Sequence, residues 1–129
     1  MVNQDKIIDI HSHILPGIDD GARTLTDSID SIRELADQGI VGIIATPHFV
    51  NETTYMSPRD HNLELLKELK QQLQNESINV ELYLGNEIYL DKDISLLLNT
   101  KIISTMADSK YLLVELPLDN EFPNFEEYF

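Results

Sequence analysis

The chain has 129 residues, 42% of them hydrophobic, which suffices for one compact domain and not for two. Nine Lys and Arg face 23 Asp and Glu, and the resulting net charge of −14 works against a phosphate backbone or an anionic lipid surface as a general partner. With no cysteine, a disulfide framework, a thiolate metal site and a cysteine nucleophile are all excluded.

The N-terminus, Met1-Val2-Asn3-Gln4-Asp5-Lys6, lacks the basic-then-apolar layout of a signal peptide, and no apolar run approaches the roughly 18 residues of a membrane span. A soluble, cytoplasmic protein without membrane insertion is therefore expected. Residues 7–10 form the first apolar strand, running into His11. A helical pattern follows through Leu25, Ile29, Ile32, Leu35 and Ala36. Thr24, three residues before Asp27, reads as its N-cap, and Gly39 as its stop. The second strand covers 41–46 and runs into Pro47 and His48. Ser57 then reads as an N-cap with Pro58 at the first helical position, and Leu63, Leu66, Leu69 and Leu73 make one apolar stripe. Residues 80–84 form the third strand, leading into Gly85, Asn86 and Glu87. Asp91 caps a shorter helix with Ile94, Leu97 and Leu98, and the fourth strand, 111–114, leads into Glu115. Residues 118–129 read as the start of another amphipathic helix.

Strand alternating with helix predicts an α/β domain spanning 1–129, with about four parallel strands buried on both faces. A closed βα barrel typically needs 200 residues or more, so about half of one is expected. Four strands left unclosed expose an unpaired edge that invites a homo-oligomer.

All four predicted strands end beside a histidine or an acid, and this carries the chemistry. In Asp9-Ile10-His11-Ser12-His13, alternation directs His11 and His13 to one side, with Asp9 behind them. Two neutral imidazoles so placed can share a divalent ion. The turn Pro16-Gly17-Ile18-Asp19-Asp20-Gly21 offers a carboxylate; Asp20 is preferred, although spacing alone does not separate it from Asp19. His48, Glu87 and Glu115 complete the set. Glu115, flanked by Leu112, Leu113, Val114 and Leu116, is a costly charge unless paired or bound to a cation. Such ligands hold ions that acidify water and polarise phosphoryl oxygens, giving hydrolysis without a protein nucleophile.

The block from Asp9 to Gly21, with Thr46-Pro47-His48, Gly85-Asn86-Glu87-Ile88-Tyr89 and Leu113-Val114-Glu115-Leu116-Pro117, resembles the PHP (polymerase and histidinol phosphatase) superfamily. Within it the sequence is most similar to the bacterial manganese-dependent protein-tyrosine phosphatases of capsule and exopolysaccharide operons, from about Lys6 onward. The resemblance implies a distorted (βα)7 barrel holding two or three divalent ions, most often manganese. It places His11, His13 and Glu87 on one ion, Glu87 and Glu115 near a bridging region, and Asp20 with His48 on a further ion. The implied substrate is a phosphotyrosine-bearing cytoplasmic tyrosine kinase that controls polysaccharide assembly.

The family's later histidine, its D-x-H pair and its phosphate-facing arginines are not among these residues, so the resemblance implies a site left incomplete within the 129. Arg33 and Arg59 belong to helical patterns and read as surface, as does His61; Arg23 lies near the Asp20 turn. No catalytic residue beyond the ligands is assigned. Three alternatives stay open: a sibling phosphatase for a small ester such as histidinol phosphate, a non-catalytic fragment that docks on a partner, and an amidohydrolase-like metal barrel.

Overall fold

Beyond the second and third predicted strands, which end close to the expected residues, the chain breaks and resumes as a short further strand. The structure, a computed structural model, describes residues 5–118, so the helix expected beyond Leu118 lies outside the described residues. In chain order the elements are β1 (Ile7–Ser12), α1 (Leu25–Asp37), β2 (Ile40–Ala45), β3 (His48–Phe49), α2 (Arg59–Asn75), β4 (Glu81–Leu84), β5 (Glu87–Tyr89), α3 (Ile94–Asn99), a 3-10 turn (Met106–Asp108) and β6 (Leu113–Glu115). All pairing is parallel, in two three-stranded sheets ordered β1-β2-β4 and β3-β5-β6. The α/β reading with parallel strands holds; the count of four becomes six.

The breaks have identifiable causes. Ala45 pairs with Leu84 and, three residues further along both chains, His48 pairs with Glu87, so the register survives the gap. Pro47 has no N–H to give to a ladder. Its carbonyl accepts two hydrogen bonds instead, from the Glu87 backbone N–H (3.0 Å) and from Asn86 Nδ2 (3.1 Å). Asn86 is buried, and its Oδ1 accepts from the Ser104 backbone N–H at 2.7 Å. One buried amide thus bridges both breaks. Asn86→Leu keeps the branching and number of side-chain heavy atoms but strands the Ser104 N–H, and is expected to cost about 1–3 kcal/mol. A thermal melt lowered by about 5 °C or more checks this.

α1 forms as predicted. Thr24 and Asp27 make a reciprocal capping box, and Gly39, with φ of 95°, donates to Ala36 O just past the last turn. The α2 start differs. Pro58 is the N-cap, while Ser57 spends its hydroxyl and carbonyl on the fully buried Asn62. The buried stripe of α2 therefore runs Asn62, Leu66, Leu69, Leu73, and Leu63 is turned outward. Asp93, not Asp91, caps α3; Asp91 lies two residues ahead and accepts from the Asp93 N–H at 2.7 Å.

α1 and α2 cover one face of the first sheet, packing Ile29, Ile32, Leu66, Leu69 and Leu73 against Ile43, Ala45, Leu82 and Leu84. A second cluster joins Phe49 and Ile88 of the other sheet to Ile94 and Leu97 of α3. The expectation that every strand is buried on both faces fails for β1 and β4. Ile8 and Ile10 are 54% and 61% exposed, and Tyr83, which shares the Gly42 side of the sheet with Ile8, is 41% exposed. The helices pack on the opposite face only.

Candidate metal centre

The strand breaks set up the site. His11 is the penultimate residue of β1 and His13 follows its end. Between them, Ser12 is stitched to the end of β2: its N–H donates to Thr46 Oγ1 (2.9 Å) and its carbonyl accepts from the Thr46 N–H (2.8 Å). Sequence reasoning placed His48 and Glu87 at the ends of strands. They begin β3 and β5 instead, where they are partners across the first rung and their side chains lie side by side. Glu115 closes β6, as expected.

The turn carrying the two aspartates folds back on β1. Gly17 N–H donates to Ala22 O (2.9 Å), and Ala22 N–H to His13 O (3.1 Å). Gly21 lies against the His13 backbone so closely that an added Cβ would stand 2.2 Å from His13 O.

The six predicted ligand residues come together in one cluster, linked through Glu87 and His48. His11 Nε2 lies 2.8 Å from Glu87 Oε1, and His48 Nδ1 lies 2.6 Å from Glu87 Oε2. His13 Nε2 stands 3.7 Å from the same Oε2, and Glu115 Oε2 stands 3.7 Å from His48 Nδ1. On its other edge His48 Nε2 meets Asp20 Oδ1 at 3.3 Å. The His13 and His48 rings stack with centroids 4.4 Å apart, and Tyr55 covers the far face of His48 at 5.8 Å. Three sets, His11–His13–Glu87, His13–Asp20–His48 and His48–Glu87–Glu115, each offer donor atoms within 4.8 Å of one another.

The buried charge is Glu87, not Glu115. The Glu115 side chain is 42% exposed and that of Glu87 12%. Glu87 Oε2 is buried and makes no hydrogen bond, although His48 Nδ1 lies 2.6 Å away. A desolvated carboxylate oxygen left in this state is costly. Among the described residues no Lys or Arg pairs with the cluster: Arg33 bonds Asp30 and Glu76, Arg59 bonds Ser104 and Asp108, and Arg23 and His61 are exposed. Arg59 is thus a bridge between α2 and the 3-10 turn rather than a free surface residue. Imidazole nitrogens and carboxylate oxygens around an unsatisfied anion are a donor set that fits a divalent transition metal.

Asp19 is the residue whose role sequence reasoning missed. Its side chain is 1% exposed, with Oδ2 accepting from His13 Nδ1 (3.1 Å) and the His48 N–H (3.0 Å), and Oδ1 from the Gly21 N–H (2.9 Å). The one available signal was its place two residues before a glycine, the spacing of an Asx turn. The hydrogen bond to Asp19 holds the His13 pKa above its ordinary 6.5, against a smaller opposing effect of burial. Burial pushes Asp19 up, and the bonds from His13, Gly21 and His48 more than offset it, so its pKa lies below 3.8. A raised His13 stabilises the fold fully below 6.5 and loses that contribution as pH rises through its folded value. A lowered Asp19 stabilises above 3.8 and loses its contribution as pH falls through its folded value. Without metal, the melting-temperature gap between the native chain and Asp19→Asn is therefore expected to be widest between pH 3.8 and 6.5, measured by melts in chelator.

The sequence profile of capsular polysaccharide synthesis, CpsB/CapC, matches residues 7–128. The chain is 37% identical over 121 residues to the tyrosine-protein phosphatase YwqE of Bacillus subtilis, covering 94% of this chain and 47% of that protein. It is 29% identical over 116 residues to the tyrosine-protein phosphatase CpsB of Streptococcus agalactiae, covering 90% and 47%. Among solved structures, it matches one from the crystal structures of YwqE from Bacillus subtilis and CpsB from Streptococcus pneumoniae, described as unique metal-dependent tyrosine phosphatases. That match has a TM-score of 0.84 at 37% identity and covers 91% of this chain and 47% of the other. The chain spans about half the length of the curated relatives it matches.

Proposed function

We propose, from the premise that the chain belongs to the CpsB/CapC family of capsular polysaccharide synthesis, that it carries the cation-binding rim of a metal-dependent protein-tyrosine phosphatase. In this reading residues 1–129 are one domain, equivalent to the first half of a PHP-type barrel. The substrate is phosphotyrosine on a cytoplasmic tyrosine kinase that regulates capsule synthesis. The observation that carries the proposal is the buried, unsatisfied Glu87 Oε2 ringed by imidazoles.

His11, His13 and Glu87 hold one ion, His48 with Asp20 a further one, and Glu115 joins Glu87 and His48 between them; manganese is the proposed metal. Bound divalent ions supply Lewis acidity toward phosphoryl oxygen and acidify water at neutral pH. The chain's own part is electrostatic and positional. Asp20, Glu87 and Glu115 put three carboxylates at one rim of a chain with net charge −14, a field that turns away a phosphate dianion until cations offset it. Glu87 draws His11, His13 and His48 toward a common centre, and the stacked rings of His13, His48 and Tyr55 limit rotation of the imidazoles.

The resemblance implies a site left incomplete within these residues, so the test mixes the Mn²⁺-loaded chain with a separately produced second half of a family barrel. Hydrolysis of a phosphotyrosine peptide by the mixture is run beside histidinol phosphate and repeated with EDTA. Chelator-sensitive hydrolysis favouring the peptide is expected. Preference for the small ester, hydrolysis indifferent to EDTA, or a mixture that hydrolyses neither substrate would overturn the reading.

A further inference from the structure

We propose that Asp19 is a positioning residue for the metal centre: it presents Nε2 of His13 to the ion while itself staying out of the ligand set. The inference rests on the metal-binding reading above and adds to it the residue that orients one of the ligands.

A neutral imidazole carries a single hydrogen, on either Nδ1 or Nε2, and an ionised carboxylate only accepts. The contact of 3.1 Å between His13 Nδ1 and Asp19 Oδ2 therefore requires the hydrogen on Nδ1. That leaves the Nε2 lone pair free, on the edge that faces Glu87 Oε2 at 3.7 Å. The opposite tautomer would place a hydrogen where the ion must bind, and two lone pairs against each other at Asp19.

Three of the four acceptor positions of Asp19 are already taken, and it belongs to none of the three donor groupings. Oδ1 receives the Gly21 N–H, and Oδ2 receives both His13 Nδ1 and the His48 N–H, in a side chain only 1% exposed. Its neighbour Asp20 has the opposite character: its side chain is 64% exposed and reaches His48 Nε2. The adjacent aspartates divide the work, Asp20 outward to the cluster and Asp19 inward to its support. Through the same carboxylate, Asp19 joins the exit of β1, the aspartate turn and the first residue of β3, three segments that each carry a predicted ligand. Partners of this kind fix both the tautomer and the ring orientation of a ligating histidine.

Asparagine at this position cannot replace the carboxylate. If its oxygen faces His13, its NH₂ meets the Gly21 N–H, donor against donor. If its oxygen faces Gly21, its NH₂ donates to His13 Nδ1 and forces the hydrogen onto Nε2.

The first measurement needs neither metal nor variant. Long-range ¹H–¹⁵N spectra of the metal-free chain, at a pH high enough for neutral imidazole, are expected to show His13 as the Nδ1–H tautomer. An Nε2–H form, or an even mixture as in a free imidazole, would overturn the proposal whether or not the chain binds metal. The second is calorimetric titration of Asp19→Asn with Mn²⁺, alongside circular dichroism to verify its fold. Affinity about 10–100-fold weaker than that of the native chain is expected; a folded variant that binds as tightly as the native chain would overturn it. A native chain showing the Nδ1–H tautomer but taking up no Mn²⁺ would instead refute the metal-binding reading alone.

Discussion

Glu87→Gln is expected to weaken Mn²⁺ binding by at least about 100-fold and, in the absence of metal, to make the fold more stable. The two effects have opposite signs because they have one origin. Glu87 belongs to two of the three donor groupings, with Oε1 on the His11 side and Oε2 on the side of His13 and His48. Glutamine keeps the shape but loses the charge and one acceptor, so one grouping loses its oxygen ligand and the other keeps only an uncharged one. In the metal-free chain, however, the carboxylate is buried with Oε2 unsatisfied. Removing that charge relieves a desolvation cost of about 1–3 kcal/mol. Calorimetric titration measures the first effect and melts in chelator the second. A Glu87 that served only to hold the fold together would give a variant that melts lower under both conditions.

The next largest effect is expected from Gly21→Ala, a change of one methyl group. The new Cβ would lie 2.2 Å from His13 O and 2.5 Å from His13 Cβ, distances at which atoms cannot coexist. The nearest obstacle is backbone held by its own hydrogen bond, Ala22 N–H to His13 O, so it has little freedom to move aside. The turn must lift away from β1, and with it go the Asp19 contacts to His13 and His48 and the reach of Asp20 to His48. Destabilisation of about 1–3 kcal/mol is expected from overpacking, with Mn²⁺ affinity falling at least as far as in Asp19→Asn. A folded Gly21→Ala chain with native metal affinity would show that the turn does not support the site.

Local signals were the ones the sequence displayed openly. Thr24 and Asp27 lie at capping-box spacing and Gly39 at a helix stop, and none of the three depends on distant residues. His11 and His13 were legible because strand alternation is itself local. The strand breaks were less visible. The second strand read as ending at Thr46 and the third at Leu84; that both resume, at His48 and Glu87, depends on pairing between residues 39 positions apart. Asn86 lies between Gly85 and Glu87, past the third predicted strand; only the fold shows that its amide is satisfied by Pro47 and Ser104. Asp19 and Asp20 could not be separated by spacing, since the choice is made by which one the folded-back turn points at His13. Leu63 and Asn62 exchanged places for a similar reason: hydrophobicity favoured the leucine, but Ser57 supplies buried partners for the asparagine. The exposure of Ile8 and Ile10 was likewise hidden, because a strand's own sequence does not say whether a second layer covers it.

An electron paramagnetic resonance titration of the purified chain with Mn²⁺ puts the shared-cation claim to the most direct test. Six side chains gathered at one rim should remove the six-line signal of the free ion up to about two equivalents. A correctly folded chain that leaves the free-ion signal undiminished at micromolar concentrations would mean that these histidines and acids meet for some reason other than holding metal.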